Sequence, residues 1–171
     1  MEEKIKDFLK NKEKILELDR TSEIDPISEW KNIRNPFKTP SNFLIIQIAK
    51  WIPFMKIKLN LLRSIGIKIG KNVGIAPSSF DSVFPELISI GNNSVIGNKV
   101  HIMTHEFTKD KIRLGKVNIS NNVLIGAFSI IRSGVNIGEN SVVSMCSFVN
   151  KDIPANEMWA GSPAKKIRSL K

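Results

Sequence analysis

The sequence predicts a mainly β fold in which short strands stack as the coils of a narrow prism. Its aliphatic residues recur at a step of six, which fits neither a helix nor simple strand alternation. These lead positions are Ile69, Ile75, Ile90, Ile96, Ile102, Ile119, Ile125, Ile131, Ile137, Val143 and Val149. Two further positions of each six support the phase and indicate a short strand followed by a tight corner.

The fifth position of each six is always Ser or Val, which suits a narrow interior. It holds Val73, Ser94, Val100, Val123, Ser129, Val135, Ser141 and Ser147. The fourth position often holds a residue that tolerates a left-handed backbone, as a corner requires. These are Asn72, Asn93, Asn122, Gly134 and Asn140, whereas Lys99 and Phe128 depart from the pattern.

Composition indicates one ordinary globular domain. The chain has 171 residues, of which 42% are hydrophobic and 25% charged, enough for a sizeable core. The start, MEEKIKDFLK, lacks the features of a signal peptide, and Cys146 is the only cysteine, so we expect a cytoplasmic protein without an internal disulfide. The net charge is +10, but no aromatic–basic interleaving or recognition-helix motif points to nucleic acid.

Two stretches, FPELISIGNNSVIGNKVHIMTHEF and VNKDIPANEMWAGSPAKKI, carry a resemblance to a known family. Together with the repeat, they resemble the hexapeptide acyltransferases, in the branch of the galactoside, maltose and serine O-acetyltransferases. The resemblance spans residues 65 to 168. It implies a left-handed parallel β-helix with three sixes per coil, a homotrimer with active sites between subunits, and direct transfer from acetyl-CoA.

The repeat is interrupted between Ile102 and Ile119, where the step is seventeen. The extra residues predict a projecting loop, 103–118, with His105 at its base. A hydroxyl needs a base to attack a thioester at neutral pH, and an imidazole suits that task. We therefore expect His105 to be the general base, in agreement with the resemblance, and His101 to be a corner residue. Glu106 is a candidate to orient His105 or to bind the acceptor.

Metal catalysis is not expected. The chain contains only two histidines, four residues apart, whereas catalytic zinc usually has three protein ligands.

A second irregularity lies at FDSVFPELI, residues 80–88, where the step from Ile75 to Ile90 is fifteen. It precedes the histidine loop by one coil, so the two bulges are placed to share one cleft. Asp81 is a candidate to bind an acceptor hydroxyl, to orient His105, or simply to cap a turn.

The donor site is assigned by the resemblance. It implies cofactor contacts at Ala127, Met145, Asn150, Lys151, Lys165 and Arg168, of which the three cations would neutralise phosphate. Two departures stand out: Ser144, Met145 and Cys146 replace the family's usual Gly-Ala-Gly, and Asn150 replaces Thr. After Pro163 we expect a short basic helix.

The sequence predicts three regions: an N-terminal helical cap region at 1–64, the β-helix at 65–150, and a C-terminal extension with the basic helix at 151–171. Residues 1–19 suggest an amphipathic helix, and residues 21–40 a proline-punctuated connector. Residues 41–64 are apolar with interspersed lysines. They suit either a cap over the open end of the coils or a peripheral contact with an anionic membrane.

Taken together, these features predict an acetyl-CoA-dependent O-acetyltransferase that acts on a sugar or glycan hydroxyl. Two alternatives remain open at this point. One is a non-catalytic β-helix that serves as a scaffold or binding subunit. The other is a xenobiotic acetyltransferase that inactivates an antibiotic.

Overall fold

The computed structural model describes residues 1–20 and 33–170, so residues 21–32, most of the predicted connector, lie outside the described residues. The described residues form three α-helices and seventeen short strands, numbered in chain order. The helices are α1 (Glu2–Lys10), α2 (Lys38–Trp51) and α3 (Met55–Ser64). The strands are β1 (Ile15–Asp19), β2 (Lys68–Ile69), β3 (Gly74–Ile75), β4 (Ser79–Phe80), β5 (Ile88–Ile90), β6 (Val95–Ile96), β7 (His101–Ile102), β8 (His105–Phe107), β9 (Lys111–Gly115), β10 (Val117–Ile119), β11 (Leu124–Ile125), β12 (Ile130–Ile131), β13 (Asn136–Ile137), β14 (Val142–Val143), β15 (Phe148–Val149), β16 (Glu157–Ala160) and β17 (Lys165–Ser169).

Strands β2 to β7 and β10 to β15 visit three sheets in turn. The first sheet has the order β13-β10-β5-β2, the second β17-β16-β14-β11-β6-β3, and the third β15-β12-β7-β4. Neighbours within these coils pair in parallel, with lead residues opposite one another, as Ile125 lies opposite Ile96 and Val143. The chain therefore winds as a parallel β-helix with a triangular cross-section, as the six-residue period predicts.

The interior of the prism is the column that the repeat predicts. All lead residues from Ile75 to Val149 are buried, as are the Ser and Val residues at the fifth position. The buried hydroxyls donate to backbone carbonyls, for example Ser94 to Ser120 at 2.9 Å and Ser141 to Pro154 at 2.7 Å. Satisfied in this way, a small polar side chain carries no burial penalty.

The corners adopt a left-handed backbone whatever residue occupies them. Positive φ angles recur at the fourth position of the sixes, including Lys99 (55°), Phe128 (62°) and Cys146 (57°). Lys99 and Phe128, which depart from the Asn/Gly pattern, therefore turn like the others. The coil geometry imposes the corner conformation, and Asn or Gly only makes that conformation less costly.

The helices cover the open end of the first coil. Lead-residue carbonyls accept an N–H of the preceding coil, as Ile96 accepts from Ala76 at 3.0 Å, so the carbonyls of Ile69 and Ile75 in the first coil have no such partner. Side chains of α3 supply donors instead. Arg63 bonds the carbonyls of Ile69 (3.0 Å) and Gly70 (2.9 Å), and Lys58 bonds that of Ile75 (3.0 Å). These bonds satisfy an otherwise exposed sheet edge.

The predicted helix over residues 1–19 is wrong in its second half. Helix α1 ends at Lys10, and Ile15–Asp19 form β1, antiparallel to β9. Strand pairing to the hairpin overrides local helix propensity here. Ile5 and Phe8 of α1 then pack with Leu18 in a second core under the hairpin.

The inserted residues after Ile102 form a β-hairpin of β8 and β9, extended by β1 into a three-stranded sheet. The hairpin ends earlier than the loop predicted at 103–118, because β10 already pairs with β5 from Val117 onward. The division into regions 1–64, 65–150 and 151–171 stays a prediction.

The short basic helix predicted after Pro163 is wrong. Lys165–Ser169 form β17, which folds back antiparallel on β16, while β16 continues the second sheet beside β14. The open edge of that sheet offers hydrogen-bond partners that a five-residue segment cannot provide for itself as a helix. Among the described residues, no helix has the length and apolar character to cross a bilayer.

Lys58→Met tests whether α3 caps the coil edge. Methionine keeps the apolar stem but leaves the Ile75 carbonyl without its partner, so we expect the free energy of unfolding to fall by about 1–3 kcal/mol. Urea denaturation measures this change. Lys56→Met, at an exposed position two residues earlier, is the control and should change stability little. Equal effects of the two substitutions would contradict the capping role.

Candidate active site

Asp81 stands where the chain leaves the third sheet in the first coil. Its backbone N–H still donates to Ile102 at 3.0 Å, after which the 80–88 bulge begins. The carboxylate is almost fully buried and accepts bonds through Oδ1 from the backbone N–H groups of Val83 (2.8 Å) and Phe84 (3.2 Å). Asp81 thus caps the turn that opens the bulge.

The second carboxylate oxygen of Asp81 holds His105. Oδ2 accepts bonds from the backbone N–H groups of Thr104 (2.9 Å) and His105 (3.1 Å), and it lies 2.5 Å from Nδ1 of the His105 ring. The hydroxyl of Thr104 donates to the Phe84 carbonyl at 3.0 Å, which ties the two insertions together. The two bulges therefore meet at one site, as their positions in the repeat predict.

The pair is electrostatically coupled. Burial alone would raise the pKa of the Asp81 carboxyl, but the hydrogen bond and charge of His105, with the backbone donors, lower it to about 2. Burial alone would lower the pKa of His105, but the bond and charge of Asp81, with a contribution from Glu106, outweigh it and raise that pKa above its ordinary value. The carboxylate stays ionised and strengthens the basicity of the imidazole.

Because Nδ1–H of His105 donates to Asp81, the other ring nitrogen, Nε2, is the one that can accept a proton. Nε2 makes no hydrogen bond within residues 1–20 and 33–170. The ring is a quarter exposed and stands edge-on to Phe107, with centroids 5.5 Å apart. A half-buried imidazole with one nitrogen held by a carboxylate and the other free is arranged to accept a proton.

Glu106 is bound to the coil. Arg132 contacts its carboxylate from Nε (3.0 Å) and Nη2 (2.8 Å), Arg113 adds a bond at 3.2 Å, and the Ser133 hydroxyl also donates to it. Burial opposes ionisation, but these partners lower the pKa of Glu106 below its ordinary value. The cluster fastens the base of the hairpin to the third coil. Arg132 is the one charged residue at the second position of a six, a signal in the repeat that sequence reasoning missed.

A cleft of about 230 Å³ opens beside the His–Asp pair. One wall comes from the coils and contains Phe80, His101 and Met103. The other wall comes from α2, through side chains that the sequence did not assign to the site: Phe43, Gln47 and Lys50. The only signal was a single amide, Gln47, in the apolar run from Phe43 to Ala49.

His101 lines the same cleft, at the start of β7. Burial lowers the pKa of this imidazole, and Lys50 adds to the effect although Asp81 opposes it. The prediction that His101 lies at a corner is wrong, because it pairs within the third sheet with Ser79 and Ile130. Among the described residues, no group of three or more His, Cys, Asp or Glu side chains is arranged to hold a metal ion.

The six positions implied for the donor lie on two corners and the last strand. Ala127 and Met145 share the corner between the second and third sheets, where the Ala127 carbonyl accepts the N–H of Cys146 at 2.9 Å. Asn150 and Lys151 follow β15 at the next corner, and Lys165 and Arg168 are exposed on β17.

A prism of six-residue steps with a buried carboxylate–imidazole pair beside a cleft defines a class of enzyme scaffold, and comparison with known proteins identifies it. A family model described as "Bacterial transferase hexapeptide (six repeats)" matches residues 116–151. YvoF of Bacillus subtilis (strain 168), named as an acetyltransferase, is 41% identical over 135 residues, covering 77% of this chain and 78% of YvoF. The chain belongs to the hexapeptide-repeat acetyltransferases and is an acyltransferase.

Two other proteins extend the comparison. The galactoside O-acetyltransferase of Escherichia coli (strain K12) is 36% identical over 118 residues, covering 68% of this chain and 51% of that enzyme. A hexapeptide-repeat acetyltransferase of Vibrio cholerae has the same fold, with a TM-score of 0.66 at 21% identity over 97% of this chain and 99% of that one.

Asp81→Asn tests the coupling of the pair. Removing the carboxylate charge leaves burial as the main influence on the ring, so we expect the pKa of His105 to fall. The wild-type ring should therefore remain protonated to a higher pH than the ring of the variant. Titration of the imidazole signals by NMR measures both values, and His101→Gln assigns the two resonances. An unchanged His105 pKa would show that the contact with Asp81 carries no charge coupling.

Proposed function

We propose that this protein is an acetyl-CoA-dependent O-acetyltransferase that moves an acetyl group directly to a hydroxyl of a sugar or glycan precursor. On this proposal His105 is the general base, and the coils wind with the left hand that the resemblance implies. The observation that carries the proposal is the His105–Asp81 pair, with Nε2 free, at the side of the cleft.

The geometry suits direct transfer. Asp81 holds Nδ1–H and fixes the tautomer, so the Nε2 lone pair takes the proton of the acceptor hydroxyl as its oxygen forms the new C–O bond. Acetyl-CoA supplies the acetyl thioester, whose C–S bond breaks in the same transfer. His105 then returns the proton to the departing thiolate, which restores the base for the next turnover.

Asp81 and Glu106 are proposed as positioning residues. Every oxygen of the two carboxylates already accepts at least one hydrogen bond from the chain itself. Contact of either with an acceptor, as considered from the sequence, would require it to give up some of these bonds. Asp81 acts through the His105 ring, and Glu106 acts by holding the hairpin that carries that ring.

The donor is proposed to bind along the last coils. Lys165 and Arg168 form no ion pair within the described parts of the chain, so both remain available for phosphate. Met145 is 62% exposed at its corner, where a donor arm would pass. The Vibrio cholerae neighbour, crystallised in complex with acetyl coenzyme A, supports this choice of donor.

The acceptor is proposed to occupy the cleft beside α2. Its lining combines aromatic side chains, Phe43 and Phe80, with polar groups such as Gln47 and Ser82. Ring faces and hydrogen-bonding groups together suit a sugar. The name of the Escherichia coli relative, a galactoside O-acetyltransferase, supports the same class of acceptor.

A homotrimer is part of this proposal. Val95 and Leu124 lie opposite each other on the outer face of the second sheet, each 45% exposed, and Ile130 on the third sheet is 41% exposed. Apolar outer faces on adjacent sheets are suited to contacts between prisms. Such contacts would bring donor positions of two subunits to one groove.

His105→Gln tests the general base. Glutamine occupies a similar volume but cannot accept the proton, so we expect kcat for acetyl transfer to a galactoside to fall by about 10²- to 10⁴-fold. Acetyl-CoA binding should be retained, as measured by calorimetry. The control is His101→Gln, which changes the other histidine of the cleft and should cost far less activity. Full activity of His105→Gln would rule out its role as base.

Lys165→Ala/Arg168→Ala tests the donor site. Losing two charge-assisted contacts to phosphate should weaken acetyl-CoA binding by roughly tenfold or more. Lys166→Ala is a matched control on the same strand, because Lys166 is already paired with Glu157 at 2.6 Å. Calorimetric titration compares the three proteins. If wild type fails to bind acetyl-CoA at all, the transferase proposal fails and the scaffold alternative replaces it.

A further inference from the structure

Helix α2 has two opposite apolar faces. Its buried side consists of Asn42, Ile46 and Ala49, which lie against the coils. Three large apolar residues on the other side, and Phe37 just before the helix, remain exposed. These are Phe37 (81% exposed), Leu44 (59%), Ile48 (46%) and Trp51 (86%). At about 100° per residue, these four positions fall within an arc of about 60° that points away from the buried side.

Further large apolar residues are exposed after Pro53. Phe54 is 67% exposed and Ile57 is 51% exposed. We call these six residues the apolar stripe: Phe37, Leu44, Ile48, Trp51, Phe54 and Ile57. Single exposed apolar residues are normal on soluble proteins, but six large ones within residues 37–57 indicate an interaction surface.

The segment that carries the apolar stripe contains only positive charges. Between residues 33 and 80 the chain contains no Asp or Glu. The segment has eight cations, of which Lys58 is buried and Arg34 pairs with Glu86 at 2.7 Å. The others are at least partly exposed: Lys38, Lys50, Lys56, Arg63, Lys68 and Lys71. Lys38 and Lys56 are exposed at either end of the stripe. A surface that combines aromatic and aliphatic side chains with lysines and no acids is complementary to a negatively charged apolar layer.

We propose that the apolar stripe docks onto the surface of an anionic lipid bilayer. Helix α2 has 14 residues, about 21 Å in length, and would lie in the plane of the interface. Trp51 and Phe54 would sit at the headgroup level, where amphipathic rings are favoured. A symmetric contact between two copies through this stripe is disfavoured, because it would bring the lysines of one copy against those of the other.

Docking would place the cleft beside the membrane. Phe43, Gln47 and Lys50, which line the cleft, lie about 100° around the helix from the stripe. When the protein is docked on the bilayer, its cleft would therefore lie alongside the lipid surface. Together with the proposed function, on which this step rests, the placement favours an acceptor hydroxyl carried by a membrane-bound molecule.

The test is sedimentation of the full chain with vesicles of phosphatidylcholine, with and without phosphatidylglycerol. We expect wild type to bind the anionic vesicles at least about tenfold more tightly than the neutral ones, and to be released by added salt. Leu44→Ser/Ile48→Ser/Trp51→Ser should reduce binding by at least about tenfold. Phe128→Ser/Met145→Ser/Ile167→Ser removes three exposed apolar residues elsewhere and should leave binding unchanged.

A second measurement locates the contact. In a Trp30→Phe/Trp159→Phe background, Trp51 is the only tryptophan. Its emission should shift to the blue on anionic vesicles and be quenched by brominated lipid. Equal sedimentation of wild type and the stripe variant would overturn the proposal. The proposal would also be overturned if the stripe variant kept its vesicle binding but changed the mass of the oligomer in ultracentrifugation. The stripe would then be a contact between copies.

The two proposals fail separately. The stripe variant should acetylate a soluble galactoside as fast as wild type, because its substitutions lie outside the cleft. Loss of vesicle binding with unchanged soluble activity supports membrane docking. Absence of activity in wild type with intact vesicle binding would refute the acetyltransferase proposal alone.

Discussion

Hydrogen bonds between successive coils require every strand to pair with the coils before and after it in the same register. An insertion can therefore leave only at the end of a strand and must rejoin the coils at the next strand position, as both insertions do at the first sheet through β5 and β10. Both insertions of this chain leave after strands of the third sheet: one at Asp81 after β4, the other after β7. Because β4 and β7 are paired neighbours, with Phe80 opposite Ile102, the insertions begin about 5 Å apart.

The His–Asp pair follows from this stacking. The N–H of Asp81 still bonds to the carbonyl of Ile102 in the next coil, so the position of its carboxylate is fixed relative to that coil. Its two oxygens accept four backbone N–H groups, two from each insertion, and the imidazole adds a fifth bond. A carboxylate bound so completely stays ionised, and its burial makes its effect on His105 larger than it would be in water.

The predictions from the sequence are confirmed where the six-residue repeat constrains the chain. The step of six placed the lead residues in the core and both insertions at a common cleft. Counting residues along the repeat is enough for this, because the count fixes the coil and the sheet of each position. Sequence reasoning failed at Ile15–Asp19 and Lys165–Ser169, which are short segments whose strand state is decided by distant partners, β9 and β16. It also missed the cleft wall on α2, because a helix outside the repeat has no register to fix its position against His105.

Helix α2 shows why the sequence left two roles open for residues 41–64. A helix that covers a coil edge and a helix that lies on a membrane each need one apolar face, and an apolar pattern all round fits neither by itself. The structure divides the circumference into three: Ile46 and Ala49 against the coils, Gln47 and Lys50 toward the cleft, and Leu44 and Ile48 outward. Capping uses the first face and leaves the third free. The cap and the membrane contact are therefore compatible roles of one helix, and the cleft lies between them.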